Sequence, residues 1–171
     1  MTPTFRIFQA TPSDAPAIGE VHAESWKAAY ASFFTDPFFT EAVESRRTKW
    51  TKTLAEAPPG TIALLAALDD RPLAFSYSGP SHTRPGEAEI YGFYAHPAAW
   101  GTGIAPALMT ATLHALHTQG HPRAHLWTLR DTPQSRRFYE KSGFTPTPTP
   151  RTHDYGNGTP VPQIEYTRPL P

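Results

Sequence analysis

The sequence of 171 residues contains no cysteine and carries no formal net charge at pH 7. The lack of cysteine excludes disulfide bonds, thiolate metal ligands and a covalent acyl-cysteine intermediate. Lysine plus arginine equals aspartate plus glutamate, at 15 each, so the composition gives no support to nucleic-acid or anionic-membrane partners. The chain also lacks a signal-peptide pattern and an apolar run of the roughly 20 residues that span a bilayer. We therefore expect a cytoplasmic protein.

The order of predicted elements indicates one α/β (α+β) domain over residues 1–171. Hydrophobic periodicity and turn residues give the order β-α-α-β-β-β-α-β-α-β-β. This order predicts a mixed central sheet of about seven strands with four helices on both faces. One helix is expected over residues 37–57 and a closing pair of strands over 150–156 and 161–169. The "TPTPTP" run at 145–150, at the start of this region, is predicted to form a stiff loop.

The stretch "WGTGIAPALM" (100–109) places two glycines between a predicted strand and a predicted helix, a setting in which helix N–H groups bind phosphate. A nucleoside-triphosphate loop needs a lysine and a hydroxyl residue after the last glycine, but Ile104 and Ala105 follow. A dinucleotide loop needs glycine or alanine where Pro106 stands, and an acid about 20 residues later, which is missing. A pyrophosphate loop of another type and a simple helix start remain open.

The longer stretch "HPAAWGTGIAPALM" (96–109) is similar to the acetyl-CoA loop of the GNAT family of N-acetyltransferases, whose pattern is Q/R-x-x-G-x-G/A. "SRRFYEKSGF" (135–144) resembles the second signature of that family, and the two motifs occur in the family order. The resemblance implies the GNAT acyl-CoA N-acyltransferase fold, with acetyl-CoA as co-substrate and no metal. It also implies acetyl transfer to a primary amine of a small molecule or peptide, by direct attack in a ternary complex.

The resemblance assigns cofactor contacts to three segments. The pyrophosphate loop corresponds to Gly101, Thr102, Gly103, Ile104, Ala105 and Pro106. Main-chain groups that contact pantetheine correspond to Phe93, Tyr94 and Ala95, in a strand that a bulge splays from its neighbour. Thr132 stands where the family often has an asparagine that contacts the cofactor, and it is expected to cap the following helix. Pro106 has no N–H to donate, and Trp100, at the Gln/Arg position, is expected to be a packing residue.

The resemblance also assigns the catalytic residues. Tyr139 matches the family tyrosine that protonates the coenzyme A thiolate, and a phenol with a pKa of about 10 is a proton donor at neutral pH. Glu89 lies eleven residues before Trp100, the spacing at which the family's histone acetyltransferases keep their glutamate base, and Glu24 is a reserve candidate. The alternatives are that Tyr139 only packs or orders the sulfur, and that Glu89 lies on a solvent-facing edge or rim.

The first helices line the acceptor side in this family, which makes Ser25, Trp26 and Tyr30 the predicted acceptor-binding residues. The alternative for these side chains is a place in the hydrophobic core. His114 and His117 are three residues apart on a predicted helix, but no nearby acid completes a metal site. Two other functions remain open: a non-catalytic acetyl-CoA sensor or interaction module, and an unrelated nucleotide-binding α/β module. A homodimer is compatible with the sequence.

Overall fold

A computed structural model describes residues 2–171, which form seven strands and five α-helices. The elements are β1 Phe5–Gln9, α1 Ala15–Tyr30, α2 Phe38–Thr48, α3 Trp50–Ala55, β2 Ile62–Leu68, β3 Arg71–Pro80, β4 Ala88–Ala95, α4 Ile104–Thr118, β5 Arg123–Leu129, α5 Pro133–Lys141, β6 Thr145–His153 and β7 Val161–Pro169. Across residues 2–171, no helix is both long and apolar enough to cross a membrane.

The seven strands belong to one mixed sheet with the order β1-β2-β3-β4-β5-β7-β6. β4 pairs with β5 in parallel, whereas β1 with β2, β5 with β7 and β6 with β7 are antiparallel. Asp69 and Asp70 join β2 to β3 with φ angles of 48° and 67°, the left-handed pair that a two-residue hairpin turn requires. The predicted mixed sheet of seven strands is confirmed.

The chain divides into two compact units. The first comprises Met1–Tyr77 and Gly92–Thr112, and the second comprises Ser78–Tyr91 and Leu113–Pro171. The single domain expected over residues 1–171 stays a prediction.

In the first unit, helices cover both faces of β2 and β3. Successive side chains of a strand point to opposite faces, and both faces of these strands carry apolar side chains. A cluster with α1 and α3 covers one face and contains Ile18, Val21, Trp50, Leu65 and Phe75. A cluster with α4 covers the other face and contains Ala66, Ala74, Ile104 and Leu108. The helix predicted over 37–57 is two helices, α2 and α3, which Lys49 separates.

α1 and α2 approach each other through their backbones at Gly19. A Cβ at this position would lie 2.0 Å from the carbonyl oxygen of Arg47, so glycine is required by the close approach. The Arg47 guanidinium then donates to Glu20, Glu24 and Glu44, at 3.0 Å for the last two. These contacts fix the crossing of α1 and α2.

In the second unit, α5 packs its aromatic side chains beside β7. The Tyr139 ring lies 6.1 Å from the rings of Phe144 and Tyr166. Tyr166 is fully buried, and its hydroxyl accepts from Arg136 and donates to Glu140, each at 3.0 Å. Burial is the largest contribution to the raised pKa of Tyr166.

The "TPTPTP" run is not a loop, as the sequence predicted, but the first part of strand β6. β6 spans Thr145–His153 at the edge of the sheet and pairs with β7, with a register irregularity between Pro146 and Pro150. An edge strand tolerates proline because only one side of its backbone has a ladder partner. The predicted strand over 150–156 was therefore placed too late in the chain.

Candidate functional site

The loop of residues 100–106 follows a 3₁₀ turn, Pro97–Ala99, and includes the first three residues of α4. Gly101 and Gly103 have φ angles of 76° and 87°, which residues with side chains rarely adopt. A Cβ at Gly101 would meet no atom within 4 Å, so this glycine is required for its backbone conformation and leaves open space beside the loop.

Several backbone N–H groups of this loop are available to a ligand. Among residues 2–171, no acceptor binds the N–H of Gly101, Gly103 or Ala105, and the N–H of Ile104 has only a 3.4 Å contact with the Thr102 hydroxyl. The N–H and hydroxyl of Thr102 both donate to Ala99, at 3.2 and 2.5 Å, so Thr102 shapes the turn. Free N–H groups at a helix N-terminus form an anion site.

Pro106 offers no backbone donor in this loop, and Trp100 does not have the packing role that the sequence suggested. Pro106 is the third residue of α4 and has no N–H, which costs the helix nothing because its first N–H groups have no intrahelical acceptor. Trp100 is 51% exposed, so the expectation that it is a packing residue is wrong. Its extended backbone, between the turn and left-handed Gly101, leaves it at the surface of the loop.

The parallel pairing of β4 with β5 comprises three residue pairs, from Ala88↔Ala124 to Ile90↔Leu126. β4 nevertheless continues to Ala95 and β5 to Leu129. The splay expected at residues 93–95, and the cofactor contacts of their main-chain groups, stay predictions.

In the first unit, a buried histidine lies against Tyr94 of β4. The His22 ring centroid is 4.5 Å from that of Tyr94, and its Nδ1 accepts from Trp50 Nε1 at 3.0 Å. Burial, with the charges of Lys49 and Arg46, lowers the pKa of His22 to about 2. The imidazole is therefore neutral at pH 7, with its hydrogen on Nε2.

The predicted acceptor-binding residues lie largely in the interior of the first unit. The Ser25 side chain is buried and donates to the His22 carbonyl at 3.0 Å. Trp26 is 1% exposed, and the Arg46 guanidinium lies 3.8 Å from its ring centroid. Tyr30 is half-buried against Trp26. Their role in acceptor binding stays a prediction.

Glu89 lies in the second unit beside a buried histidine. Its side chain is 13% exposed, and its Oε1 is 3.6 Å from His125 Nε2. His125 is fully buried, and the same Nε2 is 2.6 Å from the Ser81 hydroxyl. A largely covered Glu89 fits a base better than a residue of a solvent-facing rim. Glu24 is less suitable, because its hydrogen bond with Arg47 is the main cause of a lowered pKa.

A buried carboxylate that the sequence reasoning missed lies next to His125. Glu165 is 1% exposed and accepts from both Nε and Nη2 of Arg84, with the Nε bond at 2.9 Å, and from the Thr147 hydroxyl at 2.6 Å. Burial opposes its ionisation, but these hydrogen bonds outweigh burial and lower the pKa of Glu165. His125 Nδ1 is 3.0 Å from Glu165 Oε2, in an orientation that makes no hydrogen bond. Arg84 and Glu165 are 81 residues apart in sequence, so no local pattern indicates this pair.

Tyr139 and Thr132 belong to the α5 region of the second unit. Tyr139 is 8% exposed and lies 5.5 Å from the Phe138 ring, so it has both a packing surface and a partly accessible edge. The Thr132 hydroxyl donates to the Leu129 carbonyl at 2.7 Å. Thr132 is the N-cap residue of α5, as expected, but its side chain makes no capping hydrogen bond to the helix. Within residues 2–171, no group of three or more His, Asp or Glu side chains is arranged to hold a metal ion.

Solved structures of other proteins share this architecture. PaiA N-acetyltransferase from Thermoplasma acidophilum, in complex with coenzyme A, is 19% identical with a TM-score of 0.72, over 95% of this chain and 98% of that one. YncA from Salmonella typhimurium, with its cofactor acetyl-CoA, is 17% identical with a TM-score of 0.70, over 98% and 95%. The ribosomal-protein-S18-alanine N-acetyltransferase from Escherichia coli is 16% identical with a TM-score of 0.69, over 98% and 94%. At these identities the likeness shows the fold, which is the GNAT acyl-CoA N-acyltransferase fold.

The family follows from the sequence. The model of the acetyltransferase (GNAT) family matches residues 23–144, well over half of the chain. The chain therefore belongs to this family of acetyltransferases, and the resemblance seen in its two motifs is confirmed. Among curated proteins, none matches this chain.

Proposed function

We propose that the protein is a cytoplasmic N-acetyltransferase that moves an acetyl group from acetyl-CoA to a primary amine of a small molecule or peptide. The observation that carries this proposal is the loop of residues 100–106, whose glycine geometry leaves N–H groups free at the start of α4. Family membership and the coenzyme A or acetyl-CoA present in two structures of the same fold support it. In this function the two units act as a single domain over residues 1–171.

The chain offers donors for the cofactor in the proposed positions. The N–H groups of Gly101, Gly103, Ile104 and Ala105 would hold the pyrophosphate, while Thr102 fixes the turn and Pro106 only continues the helix. Main-chain groups of Phe93, Tyr94 and Ala95 would bind pantetheine. The Thr132 hydroxyl donates its hydrogen to the Leu129 carbonyl, so its oxygen would contact the cofactor only as a hydrogen-bond acceptor.

The proposed reaction needs one base and one acid. Glu89 would take the proton of the amine, whose nitrogen then attacks the carbonyl carbon of the thioester. A carbon–nitrogen bond forms, the carbon–sulfur bond breaks, and the Tyr139 hydroxyl would give its proton to the departing thiolate. The lack of cysteine in the sequence favours this direct transfer over a route through an acyl-cysteine.

A second candidate function is a non-catalytic acetyl-CoA sensor. Two observations favour it: Trp100 occupies the position of the family's Gln or Arg, and the Thr132 hydroxyl is engaged with a backbone carbonyl. Both changes remove side-chain contacts with the cofactor and leave the backbone donors in place. Turnover separates this candidate from the transferase.

The first experiment compares thermal unfolding with acetyl-CoA, coenzyme A and NAD. A ligand at a hundredfold excess over its Kd adds about 2.7 kcal/mol, which raises the midpoint by roughly 5–10 °C for a chain of this length. A rise with both coenzyme A forms and none with NAD supports the proposal, and no rise at millimolar coenzyme A refutes it. Release of the coenzyme A thiol in the presence of amines then indicates a transferase, whereas binding without release indicates a sensor.

A further inference from the structure

One face of the strands β5, β7 and β6 carries polar side chains that share a common surface in the second unit. Trp127 of β5 is paired with Glu165 of β7, and Gln163 lies two residues before Glu165. Gln163 is in turn paired with Arg151 of β6. Residues that are paired across strands, or two apart along a strand, share a face. Trp127, Gln163 and Arg151 therefore lie on the same face.

Two atoms of this face are buried and have unused hydrogen-bonding capacity. Trp127 Nε1 and Gln163 Oε1 find no partner among residues 2–171. Nearly all buried polar atoms in folded proteins are hydrogen-bonded, so an unpaired donor and an unpaired acceptor on one face require a partner that this chain does not supply, either water or a ligand. The amide of Gln163 is oriented by a hydrogen bond from its Nε2 to the Tyr155 hydroxyl at 2.9 Å.

A cation lies beside these two atoms. The Arg151 guanidinium is 4.7 Å from the centroid of the Trp127 ring, and its side chain is half-buried. No carboxylate within residues 2–171 forms an ion pair with it. A guanidinium held over an aromatic ring keeps its planar donors for a carboxylate.

We propose that this face, formed by Trp127, Gln163 and Arg151, recognises the acceptor and that the acceptor is a short peptide with a free carboxylate. Trp127 Nε1 donates to a peptide carbonyl oxygen, Gln163 Oε1 accepts a peptide N–H, and Arg151 pairs with the carboxylate. This inference rests on the proposed function, since it names the substrate class of that transferase.

The position of Glu89 agrees with such an acceptor. Glu89 is paired with His125, which lies two residues before Trp127 on the same face. Glu89 and Trp127 therefore lie on neighbouring strands, two residues apart along the strand direction. This spacing corresponds to about 8 Å between their Cα atoms. An extended dipeptide is about 7 Å long, so its amine reaches toward Glu89 while its carboxylate end lies on this face.

The first test measures binding without turnover. The four tryptophans of the ¹⁵N-labelled full chain give indole N–H signals, and loss of one signal in Trp127→Phe assigns Trp127. We expect glycylglycine to shift this signal and propylamine at the same concentration to leave it unchanged. An unmoved Trp127 signal at saturating glycylglycine overturns the inference, whatever the fate of the transferase proposal.

The second test measures coenzyme A release from acetyl-CoA with glycylglycine, glycylglycinamide and propylamine. In the wild-type protein we expect kcat/KM to fall about tenfold at each step from the acid to the amide to the alkylamine. Trp127→Phe and Gln163→Leu should each raise KM for glycylglycine about tenfold with kcat little changed, because they remove recognition and leave the reacting groups in place. Arg151→Gln should abolish the preference for the acid over the amide.

Arg71→Gln is the matched control, since Arg71 is an exposed arginine of β3 outside this face. It should keep the wild-type preference. Equal kcat/KM for propylamine and glycylglycine in the wild-type protein overturns the inference without touching the transferase proposal. Conversely, a shifted Trp127 signal with no release of coenzyme A for any amine refutes the transferase and leaves the peptide-binding face standing.

Discussion

The buried imidazole of His22 makes the stability of the protein depend on pH in a defined direction. In the folded chain its pKa is lowered from the ordinary value of 6.5 to about 2, mainly by burial. Below pH 6.5 the unfolded chain therefore binds a proton at this histidine that the folded chain does not bind. Unfolding takes up that proton, so acid favours the unfolded state and stability falls as the pH decreases below 6.5.

The size of the effect follows from the two pKa values. Each pH unit below 6.5 costs about 1.4 kcal/mol until the folded-state value is reached, so a change from pH 7.5 to pH 5 costs about 2 kcal/mol. For a chain of this length the loss lowers the melting temperature by roughly 4–8 °C.

The assay compares the wild-type protein with His22→Gln by chemical denaturation at pH 7.5 and pH 5. A glutamine amide oxygen can accept the Trp50 N–H but does not titrate, so the variant should be less sensitive to acid by about 2 kcal/mol. All other groups titrate in both proteins and cancel in the comparison. Parallel pH profiles would refute the reasoning. If the variant does not fold, an NMR titration of the wild-type protein decides, because a His22 ring that titrates near pH 6.5 contradicts its lowered pKa.

Three further predictions concern the candidate site. Gly101→Ala should lower the stability by about 1 kcal/mol, because alanine is strained at a positive φ. The control Gly120→Ala should have the same cost, since Gly120 also has a positive φ and open space around it. Only Gly101→Ala should weaken the thermal shift with coenzyme A. Tyr139→Phe should lower kcat by about a hundredfold or more and keep coenzyme A binding, because the ring still packs while the proton donor is lost; an unchanged kcat assigns Tyr139 a packing role. Arg84→Met should destabilise the protein by roughly 3 kcal/mol, since it leaves buried Glu165 without its cation. In urea denaturation this loss should shrink as the pH falls through the lowered pKa of Glu165, and a loss independent of pH contradicts the assignment.

Much of the fold could be predicted from local sequence. β5 at 123–129 and β7 at 161–169 have the bounds that alternation and turn residues indicate. The start of α4 after a glycine pair also agrees with the sequence. These features depend on neighbours in the chain, which is what periodicity reports.

Other features depend on tertiary context. The apolar residues of α2 and α3 continue one helical pattern across Lys49, so nothing local indicates the break between them. The prolines of residues 145–150 argue for a loop unless the strand lies at an edge, and the edge is set by the whole sheet.

The charged and polar groups of the second unit were the least predictable. Glu165 and Arg84 meet only through the arrangement of distant strands and loops. Likewise, Trp127 and Gln163 share a face only because of the β5–β7 register, which local patterns do not determine. Sequence reasoning therefore found the glycine loop proposed to hold the cofactor, which is a local motif, and missed the polar face assembled from separate strands.

The prolines of β6 also affect how the protein behaves at high concentration. A strand at the edge of a sheet normally offers its N–H and C=O groups to any extended chain that arrives from solution, which leads to aggregation. Pro146, Pro148 and Pro150 have no N–H, so half of residues 145–150 cannot donate to an incoming strand. Residues 145–150 are therefore a poorer template for an added strand than an edge without proline, which lowers the tendency of the protein to aggregate through β6.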